Sequence, residues 1–119
     1  MFDMKKSKKA KLRSKADQLW YLALLKPKCE ICEGKAIQVH HFFYKSSYRH
    51  LRYDENNGVS LCQHCHFLLH TRDPKIIVDK IIEARGKEWY INLKAKALLK
   101  PKSGYQNIGW YNEAIKKYE

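Results

Sequence analysis

The spacing of hydrophobic residues predicts a mostly helical chain with one pair of short strands near its middle. Apolar residues recur at helical intervals over residues 11 to 25, and Pro27 ends this pattern. Residues 36 to 41 alternate and are rich in β-forming side chains, which predicts a first strand. Asn57-Gly58 is a turn signal, and residues 58 to 61 are the predicted returning strand.

Four further helices are predicted after the second strand. A short one over residues 65 to 70 is followed by one that begins at Pro74 and ends at Gly86. Two more are predicted over residues 88 to 99 and 107 to 118. The predicted fold class is therefore α+β and mostly α, with a small ββα core between N-terminal and C-terminal helices.

One long segment, residues 42 to 56, has no hydrophobic period and carries many polar and aromatic side chains. Long ordered loops are often functional, so we expect this loop to contribute to a site. Tyr44, Tyr48 and Tyr53 alternate there with basic residues, and they either stack on unpaired bases or pack within the loop.

All the cysteines and histidines of the chain fall between residues 29 and 70. The chain has 119 residues and buries only a small core, so a bound metal would contribute much of its stability. A redox dithiol or simple packing would also use cysteines, but two Cys-x2-Cys pairs rarely coincide for packing reasons. The spacing predicts one structural zinc ion held by four thiolates, those of Cys29, Cys32, Cys62 and Cys65.

The histidines predict a second, open metal site. His66 and His70 are four residues apart and share one face of a helix, whereas the neighbours His40 and His41 point to opposite sides of a strand. We expect His40 and His66 to bind one ion, with His70 either as a third ligand or packed at the helix end. His41 would then stand beside the metal and take a proton from water.

Asn57 has two interpretations. An asparagine before glycine is most often a turn residue. Its side chain can equally hydrogen-bond across the long loop and fix the backbone or the ring of the base.

The net charge of the chain predicts a polyanionic partner, and the distribution of charge suggests three segments. Lysine and arginine total 24 against 12 acidic residues, and the net charge of +12 favours a polyanion such as DNA. Residues 1 to 15 are predicted to be a basic arm, residues 16 to 73 a metal-binding core and residues 74 to 119 a helical extension. A frayed, solvated terminus is the simpler interpretation of the arm. The cations expected to contact phosphates are Lys5, Lys6, Lys8, Lys9, Lys45, Arg49 and Arg52.

These residues resemble the motif of the HNH, or ββα-metal (His-Me finger), endonucleases. The resemblance rests on His40-His41, on the run from Asn57 to Cys62 and on Cys65-His66. It implies that His40 and His66 are metal ligands, that His41 is the general base and that Asn57 is the orienting asparagine.

The resemblance also points to phage proteins. The two Cys-x2-Cys pairs are similar to those of phage endonuclease VII and many phage HNH proteins. Residues 51 to 57, with residues 86 to 90 downstream, look like the NinG (Rap) group of phage recombination nucleases.

One departure from that pattern concerns the metal. Endonuclease VII-like sites use Asp and Asn where this chain has His40 and His66. Imidazole is a softer ligand than carboxylate, and hard magnesium prefers oxygen. We therefore expect the histidine site to prefer Mn²⁺, Ni²⁺, Co²⁺ or Zn²⁺ to Mg²⁺ as its catalytic ion.

The resulting hypothesis is a metal-dependent endonuclease that hydrolyses DNA phosphodiester bonds, with branched or junction DNA in phage recombination, repair or packaging as one option. The resemblance implies a 3′-hydroxyl and a 5′-phosphate as products. The alternative is a zinc-stabilised DNA-binding module without catalysis, which gives no reason for His40 and His41 to be neighbours. A third possibility is a nuclease within a larger assembly, with residues 74 to 119 as the surface for a homodimer or a phage protein.

The sequence also bears on location. No stretch is long enough to span a membrane, and the apolar run after the arm ends in Lys26-Pro27 without a small-residue cleavage site. With no export signal, we expect the cysteines to stay reduced in the cytoplasm, the host's if the chain is phage-encoded, which favours metal over disulfides.

Overall fold

The computed structural model describes residues 6 to 119 and divides into two compact units. One contains the described residues up to Ala23 together with Pro101–Glu119, and the other is Leu24–Lys100. The described residues form five α-helices and two strands, namely α1 (Lys8–Leu24), β1 (Gln38–His41), β2 (Gly58–Leu61), α2 (Gln63–His70), α3 (Pro74–Arg85), α4 (Lys87–Leu98) and α5 (Ile108–Tyr118). The predicted mostly helical α+β fold with a ββα core is thereby confirmed.

The smaller unit is helical, and α1 begins three residues earlier than predicted. The reason is Ser7, whose hydroxyl accepts a hydrogen bond from the backbone N–H of Ala10 at 3.1 Å and so caps the helix. Two of the predicted phosphate-binding cations, Lys8 and Lys9, therefore lie exposed in the first turn of a helix and not on an extended arm. The cation predicted at Lys5 lies outside the described residues.

In the larger unit the two strands pair antiparallel. His40 lies opposite Val59 and His41 opposite Gly58. The two adjacent histidines therefore lie at one end of the β1–β2 pairing. The loop that returns from β1 to β2 contains two short 3₁₀ helices, Arg49–Leu51 and Glu55–Asn57. Each uses residues that the sequence assigned to an irregular loop.

The core of this unit and the cysteine cluster are one structure. Val59 and Leu61 of β2 are fully buried, and Ile77 and Ile81, four residues apart on α3, belong to the same buried cluster. Three cysteines belong to the same buried cluster, Cys29, Cys62 and Cys65. A metal ion held by the cysteines would therefore tie together the elements that form the core.

A partly buried ion pair joins the segment of the first cysteine pair to α3. The guanidinium of Arg85 contacts the carboxylate of Glu30 and donates from Nη2 to the carbonyl of Gly58 at 2.7 Å. The backbone N–H of Ser60 donates to the same carboxylate at 2.6 Å. Burial by itself would raise the pKa of Glu30, but the hydrogen bonds from Arg85 and Ser60 hold it below its usual range.

Replacing Arg85 with methionine is expected to lower the free energy of unfolding by about 2–3 kcal/mol, because the half-buried Glu30 carboxylate then keeps only Lys26 and the Ser60 N–H as partners. Urea denaturation of the zinc-loaded protein measures this. The matched control is Lys75→Met, which removes an exposed ion pair with Asp79 and should cost less than about 1 kcal/mol. Equal losses for both variants would contradict the prediction.

No helix within residues 6 to 119 combines the length and the apolar character that a membrane crossing requires.

Candidate metal centre and active site

The four cysteines come together where the segment after α1, which carries Cys29 and Cys32, meets the start of α2, which carries Cys62 and Cys65. Cys62 is the N-cap of α2, and its sulfur accepts from the N–H of Cys65 at 3.3 Å. The four sulfur atoms all lie within 4.8 Å of one another, and none of the cysteines forms a disulfide. The Sγ atoms of Cys32 and Cys62 are 3.5 Å apart.

This geometry fits a tetrahedral zinc ion. Zinc–sulfur bonds of about 2.3 Å place neighbouring sulfurs about 3.8 Å apart, close to the separation of Cys32 and Cys62. Burial raises the pKa of Cys29, but backbone hydrogen bonds from Cys32, Ile31 and Cys62 outweigh it and lower that pKa to about 7. At least one thiolate is therefore available near neutral pH to begin metal binding.

Three histidines form a second group, separate from the four cysteines. His40 comes from β1, and His66 and His70 come from one face of α2. Their nearest ring nitrogens all lie within 4.8 Å of one another. The group is graded in exposure, since His40 is buried, His66 half-buried and His70 exposed.

The histidine group also fits a metal ion. Metal–nitrogen bonds of about 2.1 Å place two ligand nitrogens roughly 3.0–3.4 Å apart. The Nε2 atoms of His66 and His70 are 3.1 Å apart. Three histidine ligands leave coordination positions open for water and a phosphate, whereas four cysteines complete a tetrahedral set.

The environment keeps the imidazoles of His40 and His66 neutral. Burial, together with the charges of the nearby imidazoles of His70, His66 and His41, lowers the pKa of His40 to about 3. Burial, followed by the charge of His70, also lowers the pKa of His66. A neutral imidazole is the form that binds metal, so His40 and His66 can bind a cation at neutral pH.

The depressed pKa of His40 predicts acid lability of protein that carries zinc at the cysteines only. Between pH 6.5 and about 3 the unfolded chain binds a proton at this position that the folded chain does not. The free energy of unfolding should therefore be fully retained above pH 6.5 and should fall below it, by up to about 1.4 kcal/mol per pH unit. Urea titrations at several pH values, run beside His40→Asn, isolate this contribution, and parallel curves for the two proteins would refute it.

His41 is held in one orientation by the loop. Its Nε2 lies 3.0 Å from the carbonyl oxygen of Arg52. A carbonyl only accepts hydrogen bonds, so Nε2 carries the proton in the neutral ring and Nδ1 is the basic nitrogen. The arrangement gives His41 the tautomer and the fixed ring that a general base requires.

Asn57 is fully buried and braces the loop that supplies this carbonyl. Its Oδ1 accepts from the N–H of Phe43 at 2.8 Å, and its Nδ2 donates to the carbonyls of Phe43 at 3.0 Å and Leu51 at 3.2 Å. Leu51 directly precedes Arg52, so the amide of Asn57 fixes the segment that orients His41. Of the two interpretations offered by the sequence, the contacts agree with bonding across the loop.

Helix α4 also contacts the loop between β1 and β2. The indole of Trp89 donates to the carbonyl of Asn56 at 2.9 Å, and Lys96 pairs with Asp54 at 3.2 Å. The ring of His50 lies 2.9 Å from the carbonyl of Lys96. These α4 contacts were not foreseen, because nothing in the local pattern of the loop identifies a partner so far along the chain.

The predicted phosphate-binding cations are divided between the two units. Lys45 and Arg49 are exposed on the loop, and Arg52 is half-buried with its guanidinium 5.9 Å from the ring centre of Tyr53. Tyr53 itself is buried, which removes it from the tyrosines that could stack on a base. Among the described residues of the smaller unit, the predicted cations Lys6, Lys8 and Lys9 are all exposed.

Comparison with known proteins identifies one family. Residues 29–72 match the family described as HNH endonuclease, so that an HNH domain is present in the chain. The match contains both cysteine pairs, the two strands and α2, and it covers well under half of the chain. No curated protein and no solved structure matches.

Proposed function

We propose that this protein is an endonuclease that uses a divalent metal to hydrolyse phosphodiester bonds in DNA. The observation that carries the proposal is the orientation of His41 by the Arg52 carbonyl, at the residue that follows His40 of the histidine group. A general base next to an open cation site is the combination that phosphodiester hydrolysis requires. The HNH match over the same residues supports this assignment.

The roles of the side chains follow from their contacts. Nδ1 of His41 takes the proton of the attacking water, and the Arg52 carbonyl stabilises the ring as it becomes charged. A divalent ion at His40 and His66, with His70 as the third ligand, would stabilise the charge on the phosphate and on the leaving 3′ oxygen. Hydrolysis in this direction leaves a 3′-hydroxyl and a 5′-phosphate.

Asn57 acts as a positioning residue in this scheme, because it touches the loop backbone and not the reacting atoms. Lys45 and Arg49, both exposed on that loop, would contact flanking phosphates. The basic segment that contains Lys5, Lys6, Lys8 and Lys9 would add affinity that depends strongly on salt.

The ligand set bears on the metal. Three imidazoles without a carboxylate among the grouped ligands favour Mn²⁺, Ni²⁺, Co²⁺ or Zn²⁺ over Mg²⁺. The cysteine cluster would hold a structural Zn²⁺ throughout.

We extend the proposal to branched or junction DNA in a phage pathway, on the strength of the two Cys-x2-Cys pairs. The helices from Pro74 onward would then form the surface for a homodimer or a protein partner.

The test is a cleavage assay on plasmid, linear duplex and four-way junction DNA. The protein is first treated with a weak chelator that leaves zinc at the cysteines, and each divalent metal is then returned separately. We expect cleavage only with added metal and a loss of at least tenfold in metal affinity for His66→Ala, as for a lost ligand. His64→Ala is the control, because His64 is exposed on the same helix outside the ligand group.

The opposite outcome is equally informative. If no metal supports cleavage while DNA binding is tight, sensitive to salt and unchanged in His66→Ala, the proposal is wrong. The protein would then be a zinc-stabilised DNA-binding module.

A further inference from the structure

A pocket of about 290 Å³ adjoins the histidine group. His40 contributes to both, since it lines the pocket and belongs to the candidate metal ligands. Tyr44 also lies between them, with its ring edge-on to His40 at 5.7 Å and nearly parallel to His70 at 6.2 Å. A group bound in the pocket would therefore be a close neighbour of a phosphate at the metal.

The lining of this pocket is mainly aromatic, and its phenylalanine and tyrosine rings come from two parts of the chain. Phe43, Tyr44 and Tyr48 come from the loop, and Tyr90 comes from α4. The rings of Phe43 and Tyr90 are nearly parallel, at 19°, while Tyr48 meets Phe43 edge-on at 5.0 Å. Such walls suit a flat, polarisable ligand better than a flexible aliphatic one.

Lysine side chains lie over two of the rings that line the pocket. Lys100 places its ammonium 5.1 Å from the ring centre of Tyr48, and Lys94 lies 5.7 Å from that of Tyr90. Of the described residues that line the pocket, none carries a carboxylate. Aromatic walls with cations beside them are the combination that binds single-stranded nucleic acid, in which bases stack on rings and phosphates meet lysines.

We propose that this pocket binds one unpaired nucleobase of the DNA substrate, next to the phosphate that is cut. The inference rests on the proposed nuclease function and adds a substrate class to it, namely DNA with an unpaired nucleotide at the cleavage position. Tyr48 and Tyr90 provide the stacking surface, and Lys94 and Lys100 contact the flanking phosphates. A base inside a duplex cannot reach such a pocket, so fully paired DNA binds less well.

The test measures binding, so that it does not depend on cleavage. Three fluorescent duplexes differ at one position, which is fully paired, carries one extra unpaired thymidine, or carries the same extra residue without a base. In the His41→Ala background with Mn²⁺, we expect the unpaired thymidine to bind at least about fivefold more tightly than the abasic residue. Equal affinity for these two probes would overturn the proposal.

Variants assign the preference to the pocket. Tyr48→Leu with Tyr90→Leu should abolish the preference for the base, whereas Tyr48→Phe with Tyr90→Phe should retain it, because the rings remain. Tyr118→Leu is the matched control, since Tyr118 has a lysine 5.3 Å from its ring centre but does not line the pocket. A preference that survives the double leucine variant would place the base elsewhere and refute the proposal.

A probe with 2-aminopurine at the unpaired position keeps the test decisive if the leucine variants fold poorly. Stacking on Tyr48 or Tyr90 should quench its emission when the His41→Ala protein saturates the DNA, and unchanged emission would overturn the proposal. Cleavage of paired DNA by the parent protein without any base preference would remove the pocket's role and leave the nuclease. A base preference without cleavage by the parent under any metal would remove the nuclease and keep the pocket.

Discussion

Replacing His41 with alanine is expected to lower the rate of DNA cleavage by about 10²- to 10⁴-fold, the contribution of a positioned general base. The ring that the Arg52 carbonyl orients is lost, and no other histidine of the described chain shares that contact. The candidate metal ligands and the cysteine cluster do not include His41, so metal content and DNA affinity should remain as in the parent. Single-turnover cleavage, fluorescence anisotropy and metal analysis measure the three quantities.

Two controls separate chemistry from folding in this experiment. His64→Ala removes an exposed histidine of α2 and should cut DNA at the parent rate. Added imidazole should restore part of the activity of His41→Ala, because it can occupy the vacated space and accept the proton. A cleavage rate within a few-fold of the parent would show that another group is the base, and the mechanism proposed for His41 would be wrong.

Replacing Cys65 with serine is expected to prevent zinc from binding at the four cysteines and to abolish cooperative folding of the larger unit. Cys65 is buried in the cluster that also contains Leu61, Leu69 and Ile77, so the metal and the apolar core are lost together. Structural zinc contributes an apparent binding free energy of about 10–16 kcal/mol, as large as the whole stability of a typical small domain, about 5–15 kcal/mol. Zinc stoichiometry by mass spectrometry and thermal unfolding followed by circular dichroism measure the effect.

The matched comparison for Cys65→Ser is His66→Ala, the next residue of α2. That variant removes a ligand of the histidine group and leaves the four cysteines in place, so it should keep one tightly bound zinc and the parent's unfolding transition. A Cys65→Ser protein that folds with the parent's melting temperature and no zinc would show that the cysteines only pack. The core of the larger unit would then be sufficient by itself.

The helices and strands were predicted well where a short segment determines its own conformation. Strand β2 occupies the predicted residues 58 to 61, and α3 begins at Pro74 as expected. Gly86 ends α3 with a φ of 100°, a conformation that favours glycine and explains why the helix stops there. The start of α1 was predicted three residues too late because the Ser7 cap precedes the apolar pattern from which the helix was inferred.

The chain alone also indicated which candidate ligands would lie together, since ligand type and spacing are local properties. Two cysteine pairs and a pair of histidines one helical turn apart each place their donors on one side of a short element. The structure assembles the two groups that this spacing predicted, including His70 with His40 and His66. Their roles in metal binding and catalysis remain predictions for the experiments above.

The sequence by itself determined the order of elements and the candidate ligands, because periodicity, caps and chelate spacing involve neighbouring residues. Only the tertiary structure decided how the loop is held and what lies beside the histidines. Arg85 meets Glu30 across 55 positions, and Trp89 meets Asn56 across 33. No local pattern specifies such partners, because each depends on how α3 and α4 pack against the ββα unit, and Tyr90 reaches the aromatic pocket by the same packing.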